Sequence, residues 1–275
     1  VGERPMMSHR TEPMQRMSGV MAAFMPAGGA ARKRRCAFQE TGYSLGYVEG
    51  GMIYPGLDIS TFTFLRDLAA HNDRGWFEAH RAEYEACWLK PGLDLAAALA
   101  PLCEAMMPRL IAVPKLNQSL RRIHRDTRFS KDKTPYQPWL HLILSTGPEI
   151  NKVSGMHLVL HPEGLGYGAG HYGLEPEALD RMRMRICDSG DRARLLAALE
   201  TAGQAGSTLD PPDLTRVPKG YDPDPTWDHL LRRKGLILRT QATLTPPDWL
   251  FTPRAPEQLA DIIRAHLPLL AWLVN

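Results

Sequence analysis

The stretch Gly155-Met156-His157-Leu158-Val159-Leu160-His161-Pro162-Glu163-Gly164-Leu165-Gly166-Tyr167-Gly168-Ala169-Gly170-His171-Tyr172 decides the fold. In an extended chain Met156, Leu158 and Leu160 point to one side and His157 and His161 to the other, the two-residue period of a half-buried strand. Gly166 to Tyr172 has the same texture, and only Pro162, Glu163 and Gly164 separate the two runs. A link that short joins antiparallel neighbours, because a parallel pair needs a crossover of about a dozen residues or more. Working backwards, Trp139 to Ser145 reads as another strand, and Leu120 to Phe129 as one before it. Working forwards, Leu236 to Ala242 adds a fifth. The expectation is an antiparallel sheet of about four to five strands.

Helical spacing frames this sheet on both sides. Phe62, Leu65, Leu68 and Ala69 mark a helix from Ser60 that stops at the polar break His71, Asn72, Asp73. Asn72 or Asp73 suits the cap of the next helix, whose Trp76, Phe77, His80, Tyr84, Cys87 and Trp88 share a face and read as core rather than as a cofactor box. Pro91 opens a third helix running to about Met107. Beyond the sheet, helices are expected at Pro176 to Cys187 and Asp191 to Ala202. An ordered proline-rich loop follows at Asp210 to Pro225, then a short helix at Trp227 to Lys234 and a last one from Glu257 to Leu273. Helices gathered before and after a run of strands make an α+β fold, expected as a single domain over residues 52–275.

The 275 residues are 44% hydrophobic, enough for a full core. Charge is unevenly placed. Residues 1–57 carry seven Lys or Arg against four acids, so the formal +3 of the chain belongs to that segment, while 58–275 holds 26 of each sign. A general nucleic-acid binder shows a basic excess across its domain, and the neutral body argues against that class. Residues 1–51 lack a sustained period and read as a disordered extension, with Met52, Ile53, Tyr54 and Pro55 as the natural beginning of the folded part. Cys36, Cys87, Cys103 and Cys187 form no C-x-x-C pair, which suggests neither a zinc site nor a disulfide framework and fits a reducing, cytoplasmic setting. Charged residues or prolines interrupt every apolar run before it reaches the roughly 20 residues of a membrane span, so no membrane partner is expected.

The densest polar stretch is Arg121-Arg122-Ile123-His124-Arg125-Asp126-Thr127-Arg128-Phe129-Ser130-Lys131-Asp132-Lys133-Thr134-Pro135-Tyr136. It puts six cations in thirteen positions, with Asp126 and Asp132 as the local counter-ions. Together with Asn72, Arg74, Gly75, Trp76 and Phe77 upstream and Pro218, Lys219, Gly220 and Tyr221 downstream, it resembles the family of uncharacterised proteins known as DUF2461. The resemblance covers about residue 58 to the C-terminus. It implies no known reaction, cofactor or catalytic residue, so function has to be read from side-chain chemistry.

Arginine forks grip carboxylates and phosphates at two points, and hydroxyls add neutral donors. Arg125, Arg128, Lys131, Lys133 and Tyr136, joined by Lys219 and Tyr221 from the proline-rich loop, are the expected binding residues for a small anionic ligand, with His124 or Asp126 as proton carrier. The same residues would serve as an internal ion-pair network pinning the sheet to the helices through Asp67, Asp73 or Glu78, which makes the domain a non-catalytic structural or interaction module. Gly168-x-Gly170-x-x-Gly173 matches G-x-G-x-x-G but lacks the strand-to-helix setting of a dinucleotide fold, and reads better as strand glycines that admit a close backbone. His157 and His161, four apart on one strand, stand about 13 Å from one another, too far to share an ion, so no metal site is expected. The G-x-S-x-G elbow and the phosphate-loop signature are both absent from the chain.

Overall fold

The computed structural model describes residues 47–48, 51–52, 54–150, 152–222 and 224–275. Tyr47–Val48 (β1) and Gly51–Met52 (β2) pair antiparallel, two short strands at the end of the stretch 1–51 expected to be disordered, Met52 lying just beyond it. The remainder of that stretch, residues 1–46, 49 and 50, lies outside the described residues.

The chain then enters a helical layer. Asp58 caps α1 (Ile59–Ala70) by accepting from the Ser60 N–H at 2.8 Å, and Phe62, Phe64, Leu65 and Leu68 bury its inner face. Ala69, expected on that face, is exposed, and Phe64 takes the place instead. Asp73 caps α2 (Arg74–Ala79) through the Trp76 N–H at 2.9 Å. The single helix expected from Arg74 to Trp88 is broken at His80 into α2 and α3 (Arg81–Tyr84). It then widens into a π-helical turn at Glu85–Leu89 that feeds α4 (Lys90–Met106). The aromatic stripe nevertheless packs inward, with Phe77, Tyr84, Cys87 and Trp88 buried. Each large side chain taken fully out of water contributes about 1.5–3 kcal/mol, which is why the stripe survives the change in helical pitch.

The sheet follows as expected in type and in most boundaries. β3 (Leu140–Ser145), β4 (Gly155–His161) and β5 (Gly164–His171) form an antiparallel meander. Two helices, α5 (Pro176–Cys187) and α6 (Ser189–Gln204), then interrupt it. A two-residue strand that the sequence did not suggest, β6 (Thr208–Leu209), precedes the short α7 (Asp228–Leu231). β7 (Leu236–Arg239) inserts between β5 and β6, so the five strands run β3-β4-β5-β7-β6 with every pair antiparallel. A 3₁₀ turn at Asp248–Phe251 leads to α8 (Ala255–Val274), whose Leu259, Ile263, His266 and Leu270 recur at helical spacing and face inward.

Residues 120–129 depart from expectation. They form no continuous strand, only isolated bridges: Leu120 to Leu116 and to Leu142, and His124 to Tyr136. Asp126 and Asp132 divert the local backbone instead, accepting from the N–H groups of Arg128 (3.2 Å) and Thr134 (2.9 Å), the two-residue turns that short acidic side chains favour. The resulting loop is anchored at its far end by Asn72. That side chain accepts from the Tyr136 N–H at 3.0 Å and donates to the Tyr136 carbonyl at 2.9 Å.

Helices α1, α4 and α8 cover one face of the sheet, against Leu140, Leu142, Leu144, Met156, Leu158, Leu160, Leu165 and Leu238. β7 lies so close to β5 that a Cβ at Gly170, where φ is +151°, would overlap the Leu236 carbonyl oxygen, and one at Gly168 would stand 2.7 Å from the Arg239 Cβ. The preference for glycines that admit a close backbone is thereby explained, and the dinucleotide setting is ruled out by a β5 that is antiparallel to both neighbours. Gly170→Ala is expected to destabilise the domain by more than about 1 kcal/mol, because alanine at positive φ is strained in addition to the overlap. An unchanged denaturant midpoint would contradict this packing.

Candidate functional site

Register determines what the second face of the sheet displays. Cross-strand pairing puts Ile143, His157, Gly168 and Arg239 in one row, and His141, Val159 and Gly166 in the next. A third row holds Gly155, Gly170 and Ile237. On this face β5 therefore presents glycines alone, and the histidines of β3 and β4 stand beside a floor made of backbone. The result is a groove of about 490 Å³, walled by Trp139, His141, His157 and His161 on one side and by Ile237, Arg239 and Thr240 on the other. Gln137 and Tyr172 also line it.

His141 and His157 are joined across β3 and β4 by a hydrogen bond between Nε2 of the first and Nδ1 of the second, at 2.9 Å. Burial pushes the His141 imidazole down to about 3, helped by the neighbouring His157, Arg121 and His161. Burial and then Arg121 push His157 down to about 4. Both rings are therefore neutral near pH 7, and the bond between them is one N–H donating to one bare ring nitrogen. His161 is also held below its ordinary value by burial, and its ring lies 5.9 Å from that of Trp139. Opposite, Arg239 makes a two-point ion pair with Asp210, donating from Nε at 2.8 Å and from a terminal nitrogen at 2.6 Å. Its charge is thus matched where it enters the groove wall.

The residues singled out from sequence lie elsewhere, in two groups. Arg125 donates to Asp132 and to Thr134, both within its own loop. Arg128 forks onto Asp126 at 3.0 and 2.7 Å, with 77% of its side chain exposed, and its hydrogen bonds hold the Asp126 carboxyl down to about 2. Lys133 donates to the Thr127 carbonyl at 2.8 Å, and Lys131 is exposed. Tyr136 is buried, its ring stacked 4.1 Å from Phe77. His124 is exposed beside both rings, its imidazole lowered first by desolvation and then by Arg122 and Arg81. The second group sits on α5: the Tyr221 hydroxyl donates to Asp180, its ring lies 5.9 Å from the Arg183 guanidinium, and Lys219 is exposed. The acids weighed as long-range partners are used differently, Asp73 capping α2 and Glu78 lying 3.8 Å from Arg81.

Of the groove histidines, His157 and His161 were weighed in the sequence as metal ligands. Among the described residues no group of three or more His, Cys, Asp or Glu is placed to hold a metal ion. What spacing along β4 concealed is that His157 meets a residue of the next strand, a relation set by register alone.

A family model described as conserved hypothetical protein (DUF2461) matches residues 60–272. No curated protein and no solved structure matches the chain. Among the described residues no helix is long and apolar enough to cross a membrane.

The two low imidazole values have a measurable consequence. Folding lowers both below the ordinary histidine value of 6.5, so the unfolded chain takes up protons first as pH falls. Stability contributed by keeping these rings neutral is fully present above about pH 6.5 and drains away towards pH 4. Urea midpoints at pH 7.5, 6 and 4.5 should fall along that series, and the His141→Gln/His157→Gln double variant should fall less steeply. Equal slopes for the two proteins would overturn the assignment of neutral rings.

Proposed function

The chain belongs to the DUF2461 family, whose description names no reaction, and on that premise we propose that it binds a small, flat ligand bearing a carboxylate or phosphate in the groove on the sheet's second face. The observation that carries this reading is the hydrogen-bonded pair of neutral imidazoles beside a floor of strand glycines. A protein gains nothing in stability by setting two imidazoles where aliphatic side chains would pack against the sheet, since their desolvation penalises the folded state as pH falls. Perturbed titrating groups gathered in a concavity are the physical mark of a binding or catalytic site.

Ligand chemistry follows from the walls. A backbone floor over Gly166, Gly168 and Gly170 is flat and accepts a planar ring. The Trp139 and Tyr172 side chains supply aromatic edges and faces, while Gln137 and Thr240 add neutral hydrogen-bonding groups. Arg121 opens the Arg/Lys-rich run, and its positive field reaches both imidazoles, which favours an anionic substituent at that end. In this reading the 121–136 segment lines no part of the groove and acts on it through its field. Its Arg125, Arg128, Lys131 and Lys133 strengthen the potential without grasping the ligand, in line with the bonds that Arg125, Arg128 and Lys133 make inside the loop. Cys87 and Cys103 are buried outside any disulfide among the described residues, which supports the reducing, cytoplasmic setting in which such a ligand would be met.

Calorimetric titration of the full chain with benzoate, phenyl phosphate and phenylpyruvate tests the proposal. At least one should bind with a dissociation constant below about 1 mM, that is, with about 4 kcal/mol or more. Gly166→Leu is the matched control. A Cβ there meets its nearest neighbours at 3.6 Å, an ordinary contact, so the added side chain fills the groove without displacing a strand. It should weaken binding at least tenfold, a loss of about 1.4 kcal/mol. Binding by none of the three compounds, or undiminished binding by Gly166→Leu, would sink the proposal.

A further inference from the structure

Between α7 and β7 the chain runs Arg232-Arg233-Lys234-Gly235, and Arg233 there is only 5% exposed. Neighbouring elements hold its backbone on both sides. Arg183 on α5 donates to the Leu231 carbonyl at 3.0 Å and to the Arg233 carbonyl at 3.2 Å. The proline-rich loop is strapped alongside, by the Leu214 N–H on the Arg232 carbonyl at 2.9 Å and by the Lys234 N–H on the Asp213 carboxylate at 2.7 Å. The Arg233 guanidinium itself is poorly answered. One terminal nitrogen donates to the Asp210 carbonyl, Nε is enclosed without a partner, and among the described residues no carboxylate forms an ion pair with it. Arginine stays protonated in proteins, so this is a buried positive charge met by one backbone carbonyl, an arrangement that is costly unless an anion completes it.

Arg233 borders a cavity of about 190 Å³, which Asp210, Asp213 and Lys234 also line. Tyr172 and Ile237 line both this cavity and the groove, so the two adjoin. Asp210 is already engaged by the two-point pair with Arg239. Asp213 accepts the Lys234 backbone N–H and is in no ion pair among the described residues. The Lys234 side chain is exposed and is likewise in none among them. Two cations and one carboxylate are therefore uncommitted around the space, a net charge of one positive. Burial lowers the Arg233 guanidinium from its ordinary value, Asp213 and then Asp210 act against that, and Arg232 adds to it. Arg233 and Asp213 thus share a cavity and feel one another without forming a pair.

We propose that this cavity is a second binding site, separate from the groove, for a free α-amino acid with an acidic side chain. The volume lies below the range of about 300–1,000 Å³ that drug-sized ligands occupy, so the occupant is a smaller molecule. Its α-carboxylate takes N–H donors that the buried Arg233 leaves unused, a charge-assisted contact of the kind a guanidinium makes best. Its α-ammonium lies against Asp213, and its side-chain carboxylate is matched by Lys234. The single net negative charge of such a ligand answers the single net positive charge of the lining. A dicarboxylate without the ammonium would bring like charge against Asp213, and a neutral amino acid would leave Lys234 unmatched. The proposal does not depend on the groove being occupied.

Calorimetric titration of the full chain with L-aspartate and L-glutamate is the test, and at least one should bind with a dissociation constant below about 1 mM. Succinate, which lacks the ammonium, and L-alanine, which lacks the second carboxylate, should each bind at least tenfold more weakly. Asp213→Asn keeps an acceptor for the Lys234 N–H but loses the charge, and should weaken the acidic amino acid at least tenfold. Arg233→Lys keeps the charge but loses the planar fork, and should do the same. Should Arg233→Lys fail to fold, the exposed position 213 decides alone. Gly166→Leu, which fills the groove, should leave this binding within about twofold of wild type, so the groove and the second cavity can fail separately. Binding of neither acidic amino acid, equal binding of succinate or L-alanine, undiminished binding by Asp213→Asn, or loss of binding in Gly166→Leu would each overturn the proposal.

Discussion

Successive side chains on a strand point to opposite faces, and in β3, β4 and β5 that alternation separates an apolar core face from the face that lines the groove. One face carries Leu140, Leu142, Leu144, Met156, Leu158, Leu160 and Leu165, all at most 2% exposed. The other carries His141, His157, His161 and the glycines of β5. A slip of one residue in the register of β4 would send its histidines into the helical core and its leucines into the groove. The core provides the penalty that forbids the slip, since each buried leucine is held by about 1.5–3 kcal/mol of transfer free energy. The candidate site is thus kept in register by side chains that never touch it.

The glycines of β5 link that constraint to the shape of the groove. Gly168 and Gly170 let β7 lie closer than any side chain would permit, and Gly166 leaves the floor bare where the contact is ordinary. Glycine in a strand interior costs roughly 0.5–1 kcal/mol relative to alanine, so three in one short strand is a sizeable concession. Two of the three are offset by the pairing they allow with β7, which returns to the sheet only after α5, α6, β6 and α7. The third, Gly166, has room for a Cβ. Packing does not account for it, and a flat floor does.

Much of this was legible before any coordinate was known. The meander, the capping of α2 by Asn72 or Asp73, the inward aromatic stripe and the last helix all follow from period, capping chemistry and link length, which are local properties of the chain. The 121–136 segment was harder. Its alternation of Arg, Ile, His and Asp resembles a strand, yet Asp126 and Asp132 offer the backbone nearer partners than a ladder does, and the segment folds back on itself around Arg125–Asp132 and Arg128–Asp126 pairs. Sequence spacing shows that cations are crowded but not that Arg125 and Arg128 each have an acid in the right direction, seven and two residues away. The groove was concealed for a different reason. His141 and His157 are sixteen positions apart, and their contact depends on the offset between two strands. No period within either strand reports it.

A pair of imidazoles on a sheet is an unusual tenant. Aliphatic side chains at 141 and 157 would pack beside Ile143 and Val159 with no charged form to avoid, and would remove a source of acid instability. The pair is satisfied internally by one hydrogen bond, which limits the cost of placing it there to the desolvation that the bond does not repay. What the bond adds is correlation: the state of one outer nitrogen dictates the state of the other. Two separate histidines would each sample both tautomers independently, whereas a bonded neutral pair always presents complementary ends.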